Sequence, residues 1–256
     1  MWPVFLSALF AHVGVNALNE YQDFLSGLDF KTTKTPFSGG SGALPQNPQA
    51  AIAVLMMAVI SLVITAVLGF YLMIVQGIHL LIPGLIGLVI IVTYTHWINR
   101  KPWLCLIAPG LGFGVLMVLG SYIALTGVMD VKVALISLVP FFLVNNLLLL
   151  NQYPDIEADK QVGRFHFPIR YGIKISNMIY LIFLIAAMLV ISFLMVFHQL
   201  PPFGWIAILP LFAGLFTYFG AEKYRQDIGR QPQLLAINVV VTLLTPAILS
   251  AVIYFS

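Results

Sequence analysis

Long apolar stretches recur along the chain, at about residues 2–18, 50–75, 79–95, 104–126, 131–151, 171–197, 203–220 and 234–255. Crossing the ~30 Å hydrocarbon layer takes roughly 20 apolar residues in a helix, and these stretches are of that order. A helix satisfies its own backbone polar groups, which is what lipid demands. Composition points the same way: with 61% hydrophobic and 8% charged residues, the chain lacks the polar groups to cover a water-soluble surface. The expectation is an all-α polytopic membrane bundle of about eight transmembrane helices, forming a single domain over residues 1–256. The third stretch is the shortest, and its LIPGLIG segment carries a proline and glycines that tilt or kink a helix.

With that many spans, the ends of the first, third, fifth and seventh share one side of the membrane. Every basic residue except Lys132 falls there: Lys31, Lys34, Arg100, Lys101, Lys160, Arg164, Arg170, Lys174, Lys223, Arg225 and Arg230. The positive-inside rule makes that side cytoplasmic and puts both termini, Met1 and Ser256, outside; the membrane expected is the plasma (inner) membrane. This placement says more than the formal net charge of +3. Every acid except Asp130 gathers on the same side, and since acids carry little topological weight, their gathering needs another cause. Met1 runs into Trp2 and Pro3 without the basic segment of a signal peptide. The single cysteine, Cys105, excludes an intramolecular disulfide and reads as packing.

Most of the acids fall into two clusters of matching pattern, Glu222 and Asp227 standing apart near the end of the seventh stretch. NEYQD closes the first apolar stretch and NQYPD the fifth; Asn151 follows Asn19 by 132 positions and Asp155 follows Asp23 by the same 132. Residues four apart share a helix face, so each cluster is expected to project an amide and a carboxylate in one direction. Asp159 extends the second face by a turn and Asn16 the first. The picture is of two four-helix pseudo-repeats around a central cavity, with like clusters facing across it.

Facing carboxylates without histidine or cysteine beside them suit a hard, oxygen-seeking cation such as Mg2+, which binds through a few carboxylates together with substrate phosphates. The neighbouring lysines and arginines suit the phosphates directly. A diphosphate carrying a hydrophobic tail fits such a head above an apolar bundle. The blander alternative is that polar residues at helix ends merely cap or solvate them, and the matched offset argues against it.

These residues resemble the UbiA superfamily of intramembrane aromatic prenyltransferases, and most nearly the dihydroxynaphthoate prenyltransferases of menaquinone synthesis. NEYQDFLSGLD is similar to that family's NDYxDxxxGxD, and NQYPDIEADKQVGRFHFPIRYG to its NxxxDxxxDxxxGKxTLxVRxG. The chain departs from the pattern at Glu20, where the family has Asp, at Arg164, where it has Lys, and at His166, where it often has Thr. The family's bundle usually has about nine helices, and the alignment makes the first the missing one here. The resemblance implies Mg2+-dependent transfer of a prenyl group from a polyprenyl diphosphate to an aromatic acceptor, a quinone precursor such as dihydroxynaphthoate, with release of diphosphate. It implies metal binding by Asn19, Asp23, Asn151, Asp155 and Asp159, with Asp23, Asp155 and Asp159 central to catalysis and Glu20, Asp29 and Glu157 as second choices. Lys31, Lys34, Lys160 and Arg164 are the implied diphosphate ligands. The expected partners are these substrates and membrane lipid, with no nucleic acid.

Two rivals remain at this stage: a secondary transporter of an anionic or cation-coupled solute, and an inactive family member that binds prenyl lipids. The first is weakened because the acids lie at helix ends, whereas transport sites sit near the midplane. TPFSGGSG, residues 35–42, reads equally as a lid or a plain connection. His12 and His79 read as packing or interfacial residues, Trp97, Trp103 and Trp205 as interfacial anchors, and Glu222 to Arg225 as a solvated helix end.

Overall fold

The computed structural model describes residues 1–255, so the expected external position of Ser256 lies outside the described residues. The protein is helical, with no strand among the described residues. Among the described residues the main elements are α1 Trp2–Ser26, α2 Ala51–Gln76, α3 Leu81–Thr93, α4 Pro102–Thr126, α5 Val131–Asn151, the short α6 Ile156–Gln161, α7 Phe167–Val196, α8 Leu209–Tyr224 and α9 Pro232–Tyr254, with a further single turn of helix, Ala43–Gln46, in the link between α1 and α2. Segments containing α2, α4, α5, α7, α8 and α9 are long and apolar enough to span a membrane, and α3 lies in a shorter apolar segment, Ile78–Thr93. The protein is thus an integral membrane helix bundle.

Helix ends follow local chemistry. Proline opens α1, α4, α7, α8 and α9, where its missing N–H is an orphan in any case. Gly27 closes α1 in the left-handed conformation, φ 76°, and its N–H bonds back to the last turn. The first helix therefore runs on to Ser26, well past the apolar stretch that ends near residue 18, and carries the first polar cluster inside its last turns. Two irregularities escape the pattern of hydrophobicity. Helix α4 loosens into a π-turn at Leu111–Leu116, just after Pro109, and α7 is kinked at Gly172, φ 79°.

Packing is uneven between the two halves. The largest buried cluster joins α5, α7, α8 and α9 through residues such as Leu143, Tyr180, Leu184, Leu211 and Val241. Among α1 to α4 the buried apolar clusters are small: Val4, Leu72 and Ala124 form one, and Ile98, Cys105 and Ala108 the other. Helix α4 is drawn onto α5 by Gly110 and Gly114, whose missing side chains let the Phe141 backbone approach. The looser first half encloses a cavity of about 920 Å³, lined by α1 to α5 and by Thr242, Leu243 and Pro246 of α9. It lies off-centre, since neither α7 nor α8 contributes to its wall.

Candidate active site

The two clusters have matching sequences and different backbones. Asn19 and Asp23 sit one turn apart on continuous helix, and Asn19 Nδ2 donates to Asp23 Oδ2 at 3.3 Å. In the second cluster α5 ends at Asn151, a turn follows, and Asp155 stands just before α6. The shared helix face expected for Asn151 and Asp155 is therefore absent. Pro154 accounts for it: Gln22 at the equivalent place in the first cluster keeps its N–H, whereas a proline removes the bond and clashes with the preceding turn. Asp155 and Asp159 do share a turn, the Asp159 N–H donating to the Asp155 carbonyl at 2.8 Å.

Arg164 joins the clusters. One arm of its guanidinium bonds Asp23 Oδ1 and the other bonds Asp159 Oδ1 at 3.0 Å, across 141 positions of sequence in the first case. A planar fork suits this double contact better than a lysine ammonium would. Gly163, φ 78°, turns the chain so that the Arg164 N–H reaches the Asp159 carbonyl at 3.0 Å. His166 Nε2 meets the other Asp159 oxygen at 2.8 Å, so that carboxylate is held on both sides. Thr95 at the end of α3 donates to Asn19 Oδ1 at 2.5 Å, which fixes the amide.

The 31–42 segment folds over this head. Glu20 accepts from the Ser41 N–H at 3.3 Å and from the Ser41 hydroxyl, while the Lys34 ammonium donates to the Ser41 carbonyl. Ser38 and Gly39 reach Asp155, and Thr35 and Pro154 both lie close against Gly229. Glu20 and Lys34 are thus engaged in holding the segment. Lys160 pairs with Glu157 at 2.9 Å on the surface, and Lys31 is exposed.

Several buried oxygens have no hydrogen-bond partner: Asn151 Oδ1, Asp155 Oδ1, Asp29 Oδ2 and Gln22 Oε1. An unpaired buried acceptor costs about 1–3 kcal/mol, so a set of them around one head marks a place for a ligand. Burial, and then the charge of Asp159, pushes the Asp155 carboxyl up to about 7. Burial, and then the charges of Asp23 and Glu20, pushes Asp29 up to about 6. Among the described residues no three histidine, cysteine or acidic groups converge as a ready metal cage. The donor set is nonetheless all oxygen and partly unspent, which fits a hard divalent cation that keeps waters and shares substrate phosphates.

Sequence reasoning passed over Arg164 as the bridge, over Thr95, and over the buried pair Tyr153 and Asn177, joined at 2.7 Å and continued by an Asn177 bond to Glu222 at 2.9 Å. Tyr153 lies inside NQYPD, at the place of Tyr21 in NEYQD, which was the available signal.

Fold and site together define an intramembrane protein whose paired polar head stands over an apolar chamber. The chain belongs to the UbiA prenyltransferase family, which it matches over residues 1–240. It is also 30% identical over 171 residues to the 1,4-dihydroxy-2-naphthoate octaprenyltransferase of Bacillus subtilis (strain 168), a match covering 66% of this chain and 53% of that protein. The chain therefore spans about half the length of that relative. No solved structure matches.

Proposed function

We propose that the protein is a Mg2+-dependent prenyltransferase, moving a prenyl group from a polyprenyl diphosphate to an aromatic quinone precursor such as dihydroxynaphthoate. The reaction would take place at the cytoplasmic face of the plasma membrane. The observation that carries this reading is the set of unspent buried oxygens beside the mouth of the 920 Å³ cavity. Asn19 belongs to both the first cluster and the cavity wall, so head and chamber are continuous. The cavity is at the large end of the ~300–1,000 Å³ range of ligand pockets, and no charged side chain lines it among the described residues.

Asn19, Asp23, Asn151, Asp155 and Asp159 are the residues that would hold the cation, with Asp29 beside them. The cation supplies charge neutralisation of the diphosphate as it departs. Arg164 already lies between Asp23 and Asp159, and its donors can turn from these carboxylates to diphosphate oxygens. The bond from the allylic carbon to oxygen breaks with its electron pair leaving on the diphosphate. The ring carbon then bonds to the allylic carbon and the ring proton leaves to water or diphosphate. Arg164 meets more negative charge at bond breaking than before it, which is the condition for accelerating the step. The apolar chamber keeps water from the allylic cation.

The test is incubation of the purified protein with polyprenyl diphosphates and 1,4-dihydroxy-2-naphthoate, with and without Mg2+. A prenylated aromatic product found by mass spectrometry only when donor, acceptor and metal are all present is the expected result. Diphosphate release that is indifferent to the aromatic compound would overturn the reading.

A further inference from the structure

We propose that His12 and Asn16 form a seat for a phenolic hydroxyl of the aromatic acceptor, inside the apolar cavity; the inference rests on the prenyl-transfer reading above. His12, Asn16 and Asn19 follow one another at spacings of four and three, so they share one face of α1, and all of them line the cavity. The face that bears Asn19 thus continues for two turns as a polar stripe in an otherwise apolar wall. Both His12 and Asn16 are exposed on the helix face that lines the cavity, and polar groups set in an apolar membrane wall are costly unless something meets them. Asn16 Nδ2 donates to the His12 carbonyl at 2.8 Å, but the imidazole nitrogens and Asn16 Oδ1 have no hydrogen-bond partner among the described residues.

A prenyl tail offers these groups nothing. A phenolic hydroxyl donates and accepts, and a neutral imidazole presents one donor and one acceptor. Phe113 adds an aromatic wall, standing edge-on to the His12 ring with centroids 5.5 Å apart at 73°. It belongs to the π-turn of α4, a distortion that recurs at functional sites. Since no charged residue lines the cavity among the described residues, the part of the acceptor that enters is uncharged. A charged substituent stays at the polar mouth, where Arg100 and Arg164 flank a smaller pocket of about 70 Å³. At 1.5 Å per residue, His12 lies ~10 Å below Asn19 along α1, leaving room between them for a compact hydroxyaromatic ring system. The substrate class is therefore a hydroxylated aromatic whose hydroxyl points away from the diphosphate.

The test uses the purified full chain with a saturating polyprenyl diphosphate and 1,4-dihydroxy-2-naphthoate as the probe acceptor. His12→Ala is expected to raise the acceptor KM roughly tenfold and leave the donor KM unchanged, with His12→Gln recovering most of the loss because its amide again donates and accepts. Replacing the buried hydroxyl by its methyl ether should weaken the wild type and leave His12→Ala indifferent. Equal rises in both KM values, or an unchanged acceptor KM in an active variant, overturn the seat. Should His12→Ala fail to fold by size exclusion, His12→Gln and Asn16→Ala carry the comparison. Binding of the probe acceptor without donor separates the two proposals: a wild type that binds it through His12 and transfers nothing contradicts the enzymatic reading alone, and binding unaffected by His12→Ala contradicts the seat.

Discussion

Asp155, like Asp29, has one buried oxygen that nothing meets, and burial pushes its carboxyl up to about 7. Asp23, by contrast, is committed to Arg164 and Asn19. Asn in place of either keeps the shape and removes the charge, so Asp23→Asn and Asp155→Asn should each cut turnover by at least ~100-fold while the purified protein remains folded. Near-normal turnover in either variant would contradict the assignment of the metal site. The raised carboxyls also set a pH dependence. Between the ordinary carboxylate range and about pH 7, the folded chain retains protons at Asp155 and Asp29 that the unfolded chain has lost. The unfolded state then binds fewer protons, so without metal these groups make stability fall as pH rises through that window. A divalent cation on the same oxygens offsets this cost and displaces the protons. Mg2+ should therefore raise Tm more at pH 8 than at pH 6, and an equal shift at both would count against these carboxylates as ligands.

A single residue difference gives the two clusters different elements to live on. Gln22 lets α1 continue to Ser26, while Pro154 stops α5 and sets Asp155 at the start of α6. The proline was plain in the sequence, yet the matched spacing invited two equal helix ends, because a repeat in residue order says nothing about where the backbone breaks. Hydrophobic stretches placed the helices well for the same reason that they failed at the π-turn: apolar character records contact with lipid, and Leu111–Leu116 stays apolar whichever hydrogen-bond ladder it adopts. The cluster residues themselves were legible as a group, whereas the Arg164 bridge depends on Gly163 and the turn after α6. Close approach of α4 and α5 rests on missing side chains, and that yields a test of the elements. A side chain at Gly114 would strike the Phe141 backbone, so Gly114→Val should destabilise the bundle by ~1–3 kcal/mol. Detergent thermal denaturation would show a lowered Tm, whereas Gly112→Val, with open space around it, should change little.

At the scale of the whole molecule the charges and the contacts agree about which helix ends belong together. Arg164, after α6, touches Asp23 near the end of α1; Phe165 N–H bonds the Asn99 carbonyl between α3 and α4 at 2.9 Å; and Gly229, after α8, packs against Pro154 and Thr35. Four connections thus meet at one end of the bundle, and together with the adjoining helix ends, which hold Arg170, Lys174 and Lys223, they carry every basic residue but Lys132. Asp130, in the link between α4 and α5, caps α5, its carboxylate accepting from the N–H of Lys132 in the first turn at 2.7 Å. By the positive-inside rule we propose that the polar head faces the cytoplasm and the connection at Met129 the outside. Native Cys105 is buried, so introduced cysteines can be read against a quiet background. In bacterial cells expressing the chain, a membrane-impermeant maleimide should label Met129→Cys at once and Lys34→Cys, Lys160→Cys and Lys223→Cys only after the membrane is opened. Labelling of Lys34→Cys and Met129→Cys from the same side would mean that the helices between them do not cross the bilayer in the order given. Labelling of all three lysine sites from outside would keep the bundle and reverse its orientation, placing the proposed chemistry on the wrong face.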